Sequence, residues 1–592
     1  MRGFFCYAKR HKMKQEQFKL TDPYGTAPSV APFRQSVSTA APWHNLPITR
    51  EYTLGQLLDQ TIARCGENDA LVYADRDFRL SWYQFGEEVD LLARGLMTLG
   101  VKRGEKIALW ATNVPHWTIL MFAAAKIGAV LLPLNTNYKS KEMDFALKQS
   151  DTENLFIIAG YRDCDYVQVI NELVPELKTQ PRGELKSSTY PHLKRVFFLG
   201  ETKQRGMYTL DEVKALAEET PFADYHTRQA ECKVDDVVNM QYTSGTTGFP
   251  KGVQLTHRSI ANDGFWIGAC QNLSCRDRVC IPVPLFHCFG CVLGVMSCVN
   301  HGSTMVFLEK FDPVQVLMSI EKEKCTATYG VPTMYIAILD HPLFERFDLS
   351  SLRTGIMSGS ACPVHRMQQA QSKMFMKEIT NPYGLTEAGP VMTMTRYFEP
   401  SIERKCQTIG QALPGIEVAI IDPETGDLAP LGTDGEICCR GYNNMVGYYN
   451  MPEQTAACID KNGWLHSGDI GRMDEQGYYY ITGRLKDLII RGGENISPKE
   501  VEDFLGTMPG IKDVAVVGCP SKKYGEQPAA FIIRSDGAQI SEHDVQTFCK
   551  DRISWFKIPK YVHFIDTFPM TASQKIQKYK LREMAHELWP EA

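Results

Sequence analysis

The chain lacks any hydrophobic run long enough to cross a bilayer. Its most apolar stretch, residues 119–134, is broken by Lys126, Gly128 and Pro133. It falls short of the roughly 20 apolar residues that a spanning helix needs, and reads as a buried helix followed by a strand. An apolar signal-peptide core is missing from the N-terminus as well, which argues against secretion. Charge of one sign is scarce: 64 Lys and Arg face 69 Asp and Glu, for a formal net charge of −5. That near balance leaves no basic field to gather nucleic acid. Cysteine is not scarce, at 18 residues. The spacing of a small disulfide-stapled secreted chain is absent, however, so a reduced, cytoplasmic compartment is the simpler expectation. Six of the cysteines fall between Cys270 and Cys298, including the pair in Cys288-Phe-Gly-Cys291. No second ligand pair stands beside that pair for zinc, and free cysteines often serve as small buried hydrophobes.

At 592 residues the chain exceeds the roughly 250–300 at which a single core stops growing, so two or more domains are expected. Residues 1–47 read as a basic tail and an extended lead-in. The first 20 carry six Lys and Arg against Glu16, but only two arginines and no serine, a weak match to a mitochondrial presequence. Met13 is a candidate alternative start. From Thr53 onward helices alternate with short apolar strands, the pattern of an α/β protein built on parallel sheets. Thr53 is placed to cap a helix running to about Ala63. Phe85, Val89, Leu92 and Leu96 recur at helical spacing, and Gly100 can close that helix. Residues 106–110 and 129–133 read as strands on either side of a helix at 117–126. Residues 173–189 read as a polar surface loop, and 235–241 as a strand. The last hundred residues repeat the pattern on a smaller scale, with strands at 514–517 and 529–533 and a helix at 542–551.

The chain is organised around residues 242–252, Tyr-Thr-Ser-Gly-Thr-Thr-Gly-Phe-Pro-Lys-Gly. Three glycines, one serine, three threonines and one lysine occupy these eleven positions. Glycine lets backbone N–H groups approach an anion closely, and the hydroxyls and the Lys251 ammonium add donors and charge. This is chemistry for holding a polyphosphate. It is not the Walker pattern: Pro250 stands before the lysine, and Gly252 follows it where Ser or Thr is required. The plainer reading of the same string is a Gly/Thr-rich hairpin turn.

The string S-G-T-T-G-x-P-K-G resembles the phosphate loop of the adenylate-forming superfamily, which includes acyl-CoA synthetases, luciferases and peptide-synthetase adenylation domains. The chain is most similar to its fatty acyl-CoA synthetases of the medium-chain type. The resemblance spans about residues 50–585, with the motifs in family order. It implies a large domain of parallel-rich sheets flanked by helices over 48–485, and a small mobile α+β domain over 486–592. It also implies that Thr243, Ser244, Gly245, Thr246, Thr247, Gly248 and Lys251 hold the β- and γ-phosphates of ATP. His287, in Pro284-Leu-Phe-His287, would lie beside the acyl carboxylate, as would residues 331–333. Gly359, Ser360 and Ala361 would lie near the adenine. In Asn381-Pro-Tyr-Gly-Leu-Thr-Glu387, Tyr383 offers a flat face to adenine, with Gly384 beside it. Thr386 offers a hydroxyl to the α-phosphate, and Glu387 a hard oxygen ligand for Mg2+. Asp469, in Trp464-Leu-His-Ser-Gly-Asp469, would accept the ribose hydroxyls. Arg484 would reach ribose or phosphate, and Lys486 marks the family's hinge. Gly492 and Gly493 would face the pantetheine channel of CoA after the small domain pivots.

Lys575, within Phe568-Pro-Met-Thr-Ala-Ser-Gln-Lys575, matches the lysine that enters the site for adenylation. Here Gln574 replaces the family's glycine. If that position needs a positive φ, the change costs about 1 kcal/mol or more and bears on where Lys575 points. The strand motifs around Gly128, Gly435-Glu-Ile-Cys-Cys-Arg-Gly441 and Gly447-Tyr-Tyr449 read as structural. Lys578, Lys580 and Arg582 read as a solvated basic face in preference to ligands of CoA phosphates.

The chemistry explains why these parts are needed. A carboxylate is a poor electrophile; attack on the α-phosphate of ATP turns it into an acyl-adenylate and expels pyrophosphate, and CoA thiol then displaces AMP. The charge that builds up requires preorganised cations and donors. The expected partners are therefore a carboxylic acid, ATP, Mg2+ and CoA. The apolar, small-residue stretch 288–296 is the basis for expecting a medium- or long-chain fatty acid. Peripheral membrane contact and a homodimer are compatible with the sequence. Rival readings are an aryl- or other-carboxylate CoA ligase, a standalone adenylation enzyme loading a carrier protein, a luciferase-like oxygenase, and a catalytically inactive nucleotide-binding homologue.

Overall fold

The computed structural model describes residues 35–39, 48–243, 250–360, 362–491, 494–550, 552–570 and 576–590. Two parallel-rich sheets dominate. The first runs, edge to edge, through Tyr208–Thr209, Arg195–Phe198, Asn154–Ile157, Lys106–Trp110, Val130–Pro133, Val237–Thr243, Lys251–Thr256 and Gly447–Tyr448. Its pairing is parallel as far as Val237–Thr243 and antiparallel beyond. The second runs through Glu378–Thr380, Thr354–Met357, Ala327–Gly330, Arg278–Ile281, Thr304–Phe307, Asp69–Tyr73 and Phe78–Ser81, parallel except for its last hairpin.

Helices fill the space between these sheets. One apolar cluster joins Leu109 and Leu131 of the first sheet, Leu71 and Phe307 of the second, and Leu58, Phe85, Phe122 and Trp266 of the intervening helices. Local chemistry sets where those helices begin. Thr53 starts Leu54–Cys65 and Thr256 starts His257–Cys270, each with a reciprocal capping box to Gln56 or Ser259 that satisfies orphan N–H groups. Helix Pro115–Lys126 is buried along its whole length apart from His116, as expected of a helix apolar on every side. The lysine that interrupts that apolar run ends on two carboxylates: Lys126 Nζ lies 2.6 Å from Asp59 and 2.8 Å from Asp90. Burying the ammonium is tolerable because both partners come with it.

A third sheet is antiparallel, in the order Val37–Thr39, Ile416–Ile421, Gly435–Gly441, Leu465–Met473 and Tyr479–Arg484. Its first strand lies in the stretch expected to be lead-in. Val37–Thr39 pairs with Ile416–Ile421, and Ser38 Oγ lies 2.8 Å from Tyr479 Oη. Part of that stretch thus belongs to the folded body, because an edge strand supplies partners that open backbone groups require. Within residues 173–189, Pro175–Lys178 forms a 3-10 turn, and Leu177 and Leu185 are buried, so that segment is anchored at two points.

The elements after residue 489 build a sheet of their own. Glu494–Ile496, Ile489–Arg491, Gly525–Arg534 and Ile511–Ser521 lie side by side, and Tyr561–Phe564 runs parallel to Gly525–Arg534. The apolar runs expected as short strands are the middle of one long hairpin. Alternate residues serve two cores, Val516 and Ile532 on one face and Val517 and Phe531 on the other. Cover on both faces is why the run is continuously apolar. Among the described residues, no helix is long and apolar enough to cross a membrane.

Candidate active site

The Gly/Thr-rich string joins two paired strands. Val237–Thr243 and Lys251–Thr256 run antiparallel, with Thr243 opposite Lys251 and Tyr242 opposite Gly252. The hairpin reading and the phosphate reading therefore apply to one segment. Ser244, Gly245, Thr246, Thr247 and Gly248 lie outside the described residues; Thr243 and Lys251 are the flanks that hold them.

Across from this hairpin stands the Tyr383–Ala388 segment. Thr386 and Glu387 sit on the 3-10 turn Thr386–Ala388, and both are buried. Tyr448 Oη donates to Glu387 Oε1 at 2.9 Å, and Thr243 Oγ1 reaches the same oxygen at 3.4 Å. Lys251 Nζ lies 4.8 Å from the centroid of the Tyr448 ring, within cation–π range. Burial, and then the adjacent Glu387 charge, push the Tyr448 phenol far above its ordinary range, so it remains a neutral donor. One carboxylate with two hydroxyls beside it is a hard-oxygen set of the kind that suits Mg2+.

Thr386 also touches the His287 segment. Cys288 Sγ lies 3.6 Å from Thr386 Oγ1 and 3.6 Å from His287 Nδ1. The Phe289 N–H donates to His287 Nδ1 at 3.1 Å. Nδ1 is thereby an acceptor, which leaves Nε2 as the ring's N–H donor. The buried sulfur of Cys291 accepts from Gln241 Nε2 at 2.9 Å. The apolar residues Phe289–Met296 form a π-helix buried at every position. Gly384 has a packing reason for lacking a side chain: a Cβ there would lie 2.1 Å from the Pro390 carbonyl oxygen.

A second cluster gathers the residues expected around adenosine. Tyr383 Oη donates to Asp469 Oδ2 at 2.7 Å, and Arg484 Nε donates to Asp469 Oδ1 at 2.7 Å. Asp469 and Arg484 stand directly opposite on neighbouring strands. The Asp469 charge holds Arg484 firmly protonated. Ser358 Oγ donates to the Pro382 carbonyl at 2.6 Å, which ties the turn carrying Gly359 and Ser360 to the strand carrying Tyr383. Gly359 takes φ +94°, a conformation open to glycine. Ala361 lies outside the described residues.

Lys486 sits on the 3-10 turn Leu485–Asp487, between strands Tyr479–Arg484 and Ile489–Arg491. Burial lowers its ammonium pKa. The basic face near the C-terminus is less solvated than expected. Arg582 Nη2 pairs with Asp487 at 2.7 Å and also reaches the Lys486 carbonyl at 3.4 Å. Lys578 pairs with Glu502 at 2.5 Å. Of the three, Lys580 alone is exposed. Gly492, Gly493, Gln574 and Lys575 lie outside the described residues.

Sequence reasoning missed Tyr448. Its Gly-Tyr-Tyr motif reads as a strand, and its partner Glu387 is 61 positions away, so no local spacing announces the contact.

Layered parallel sheets, a Gly/Thr hairpin facing a buried Thr-Glu pair, and a Tyr-Asp-Arg cluster beside them define an adenylate-forming enzyme. The AMP-binding enzyme family matches over residues 58–449, and the AMP-binding enzyme C-terminal domain over residues 500–575; the chain belongs to this family. It is 49% identical over 537 residues to the Bacillus subtilis protein named "Putative acyl-CoA synthetase YngI", covering 91% of this chain and 98% of that one. It is 38% identical to the mitochondrial medium-chain acyl-CoA ligase ACSF2 of Danio rerio, over 90% of this chain and 88% of the relative. The crystal structure of the anthranilate CoA ligase AuaEII with anthranoyl-AMP superposes with a TM-score of 0.79 at 26% identity, covering 92% of this chain and 99% of that one. The chain is thus an enzyme of the acyl-CoA synthetase group, the acid–thiol ligases that join a carboxylic acid to CoA with ATP.

Proposed function

We propose that the protein is an ATP-dependent acyl-CoA synthetase acting on a medium- or long-chain fatty acid. The observation that carries the reading is the convergence of Thr243, Lys251, Glu387 and Tyr448, with Thr386, Cys288 and His287 adjoining. Lys251 and the loop at 243–248 hold the β- and γ-phosphates. Glu387, flanked by the hydroxyls of Thr243 and Tyr448, would hold Mg2+, which when bound neutralises charge on phosphate oxygens. Thr386 donates to the α-phosphate, and His287 orients the acyl carboxylate. Tyr383, Gly384, Gly359, Ser360 and Ala361 surround the adenine, while Asp469 takes the ribose hydroxyls and Arg484, paired with Asp469, reaches ribose or phosphate.

The carboxylate oxygen attacks the α-phosphorus, the bond to the β-phosphate oxygen breaks, and pyrophosphate leaves. Lys575 supplies positive charge to that step. The small unit, residues 486–592, then turns about Lys486, which exchanges Lys575 for the Gly492-Gly493 loop. The CoA sulfur attacks the acyl carbonyl, its proton goes to solvent, and AMP departs. An alkyl substrate is supported by the continuously apolar, buried segment Phe289–Met296 beside His287. The cysteines lack the spacing of a small disulfide-stapled secreted chain, which supports a reduced compartment such as the cytoplasm.

The likeness to an anthranilate CoA ligase favours one second reading, an aryl-CoA ligase. AMP release with ATP and Mg2+, over acids from acetate to palmitate plus benzoate and anthranilate, with and without CoA, tests both. CoA-dependent release that peaks at an alkyl length is the expected result. A benzoate or anthranilate peak would establish the second reading, and pyrophosphate without CoA dependence would indicate carrier-protein loading. Silence across the panel would overturn the assignment.

A further inference from the structure

The antiparallel sheet that carries Asp469 also holds a set of ligating side chains with no part in the scheme above. Glu436 and Cys438 are two residues apart on Gly435–Gly441, a spacing that puts both side chains on one face of a strand. His466, on the neighbouring strand, stands directly opposite Cys438, and cross-strand partners share a face. The donor atoms converge accordingly. His466 Nδ1 lies 2.7 Å from Glu436 Oε2 and 3.4 Å from Cys438 Sγ. Carboxylate oxygen, sulfur and ring nitrogen all fall within 4.8 Å of one another. Glu436 and Cys438 are buried while His466 is half-buried, so the set is held by rigid strands yet reachable from one side.

A hydrogen-bonded His–Glu pair needs no thiol. A sulfur close to the same nitrogen makes a third ligand, and carboxylate, thiolate and imidazole together form the mixed set that Zn2+ prefers. Around a tetrahedral ion with bonds of about 2.0–2.3 Å, ligand atoms sit roughly 3.2–3.7 Å apart. The Glu436–His466 hydrogen bond would therefore have to open by a fraction of an ångström.

We propose that Glu436, Cys438 and His466 form a binding site for one Zn2+ ion or a similar borderline cation. On binding, the metal takes Glu436 Oε2, Cys438 Sγ and His466 Nδ1, and water completes the tetrahedron. The proton shared by His466 and Glu436 and the thiol proton of Cys438 leave to solvent, and no electron is transferred. The site has a route to the nucleotide cluster. Glu436 Oε1 accepts the Gly468 N–H at 2.8 Å, and Gly468, at φ +73°, immediately precedes Asp469. An occupied site would stiffen the segment that presents Asp469.

The test uses chelator-stripped full-length protein titrated with Co2+ as a spectroscopic stand-in for Zn2+. The expected result is one equivalent bound, with a thiolate-to-Co2+ charge-transfer band and tetrahedral ligand-field bands that Zn2+ abolishes. Cys438→Ser should remove the charge-transfer band, and His466→Gln and Glu436→Gln should each weaken binding by about tenfold or more. Cys275→Ser, which alters an exposed thiol, should leave the spectrum unchanged. Because Cys438 is buried, each variant is compared by thermal melting, and the His466 and Glu436 variants decide the matter if Cys438→Ser fails to fold. The absence of a saturable one-equivalent band would overturn the proposal. So would a band that persists at full affinity in the Glu436 and His466 variants, because the metal would then belong to other cysteines.

Discussion

Glu387 Oε1 takes two hydroxyls, and the shorter bond comes from Tyr448, whose motif reads as structural. Tyr448→Phe keeps the ring beneath Lys251 and deletes only the donor. Loss of one hydrogen bond to a charged group predicts a fall in kcat/KM of about tenfold, with a higher Mg2+ requirement. Initial rates of AMP release across a Mg2+ series would show it, and an unchanged Mg2+ dependence would detach Tyr448 from the metal. In the proposed scheme Lys575 acts at one step of two. Lys575→Ala should slow acyl-adenylate formation by about a hundredfold or more while sparing thioester formation from supplied acyl-adenylate. Equal losses in both half-reactions would refute that division. At this scale Thr386, Glu387, Tyr383 and Asp469 stand out in the sequence as candidates, because each carries a chemistry that its short motif supplies. Tyr448 does not, because a tyrosine in a strand motif declares nothing until its hydroxyl has a partner.

Capping and turn chemistry made several elements readable in advance. Thr53 starts a helix as expected, and Gly100, at φ +79°, follows the end of Trp82–Thr98. The Tyr383–Ala388 segment depends on a closeness that sequence cannot display. A methyl at position 384 would meet backbone, not a flexible side chain. Gly384→Ala is therefore predicted to cost about 1–3 kcal/mol of stability and to displace Thr386 and Glu387, so activity and melting temperature should fall together. A variant with normal melting and normal rates would show that the segment can move aside harmlessly. The π-helix Phe289–Met296 was equally hidden. Its eight residues are apolar throughout, so no periodicity distinguishes one helix type from another or a tunnel wall from a core. Packing decides: a Cβ on Gly264 of the facing helix would lie 2.5 Å from Met296 Cβ.

Over the whole molecule, two buried histidines link stability to pH. Burial lowers the pKa of His257 and of His301 from 6.5 to about 4 in each case. Between those values the unfolded chain binds more protons, so their contribution is complete above pH 6.5 and is lost as pH falls toward 4. Each is worth roughly 3 kcal/mol over that window. Melting temperature should drop from pH 7 to pH 4, and His301→Gln should flatten the slope; an equally steep slope in the variant would assign the acid lability to carboxylates. The ion pair Arg582–Asp487 joins the helix Lys578–Leu588 to the turn Leu485–Asp487, the proposed hinge. Arg582→Ala is expected to speed hydrogen exchange in that helix and at residues 485–487 while leaving the two parallel sheets protected. Unchanged exchange there would mean the pair contributes nothing to holding that turn.

The α/β class, the family and the motif order were determined by the sequence itself. Hydrophobic period, capping residues and phosphate-binding composition are local properties, written within a few neighbours. Tertiary structure alone decided the rest: the pairing of Val37–Thr39 with a strand near residue 418, the burial of Lys126 between two aspartates, and the meeting of Tyr448 with Glu387. It also paired Arg582 with Asp487 and brought Glu436, Cys438 and His466 together. Each of these is a contact across tens to hundreds of residues. Its energy comes from desolvation and from partners that only the assembled layers bring within reach.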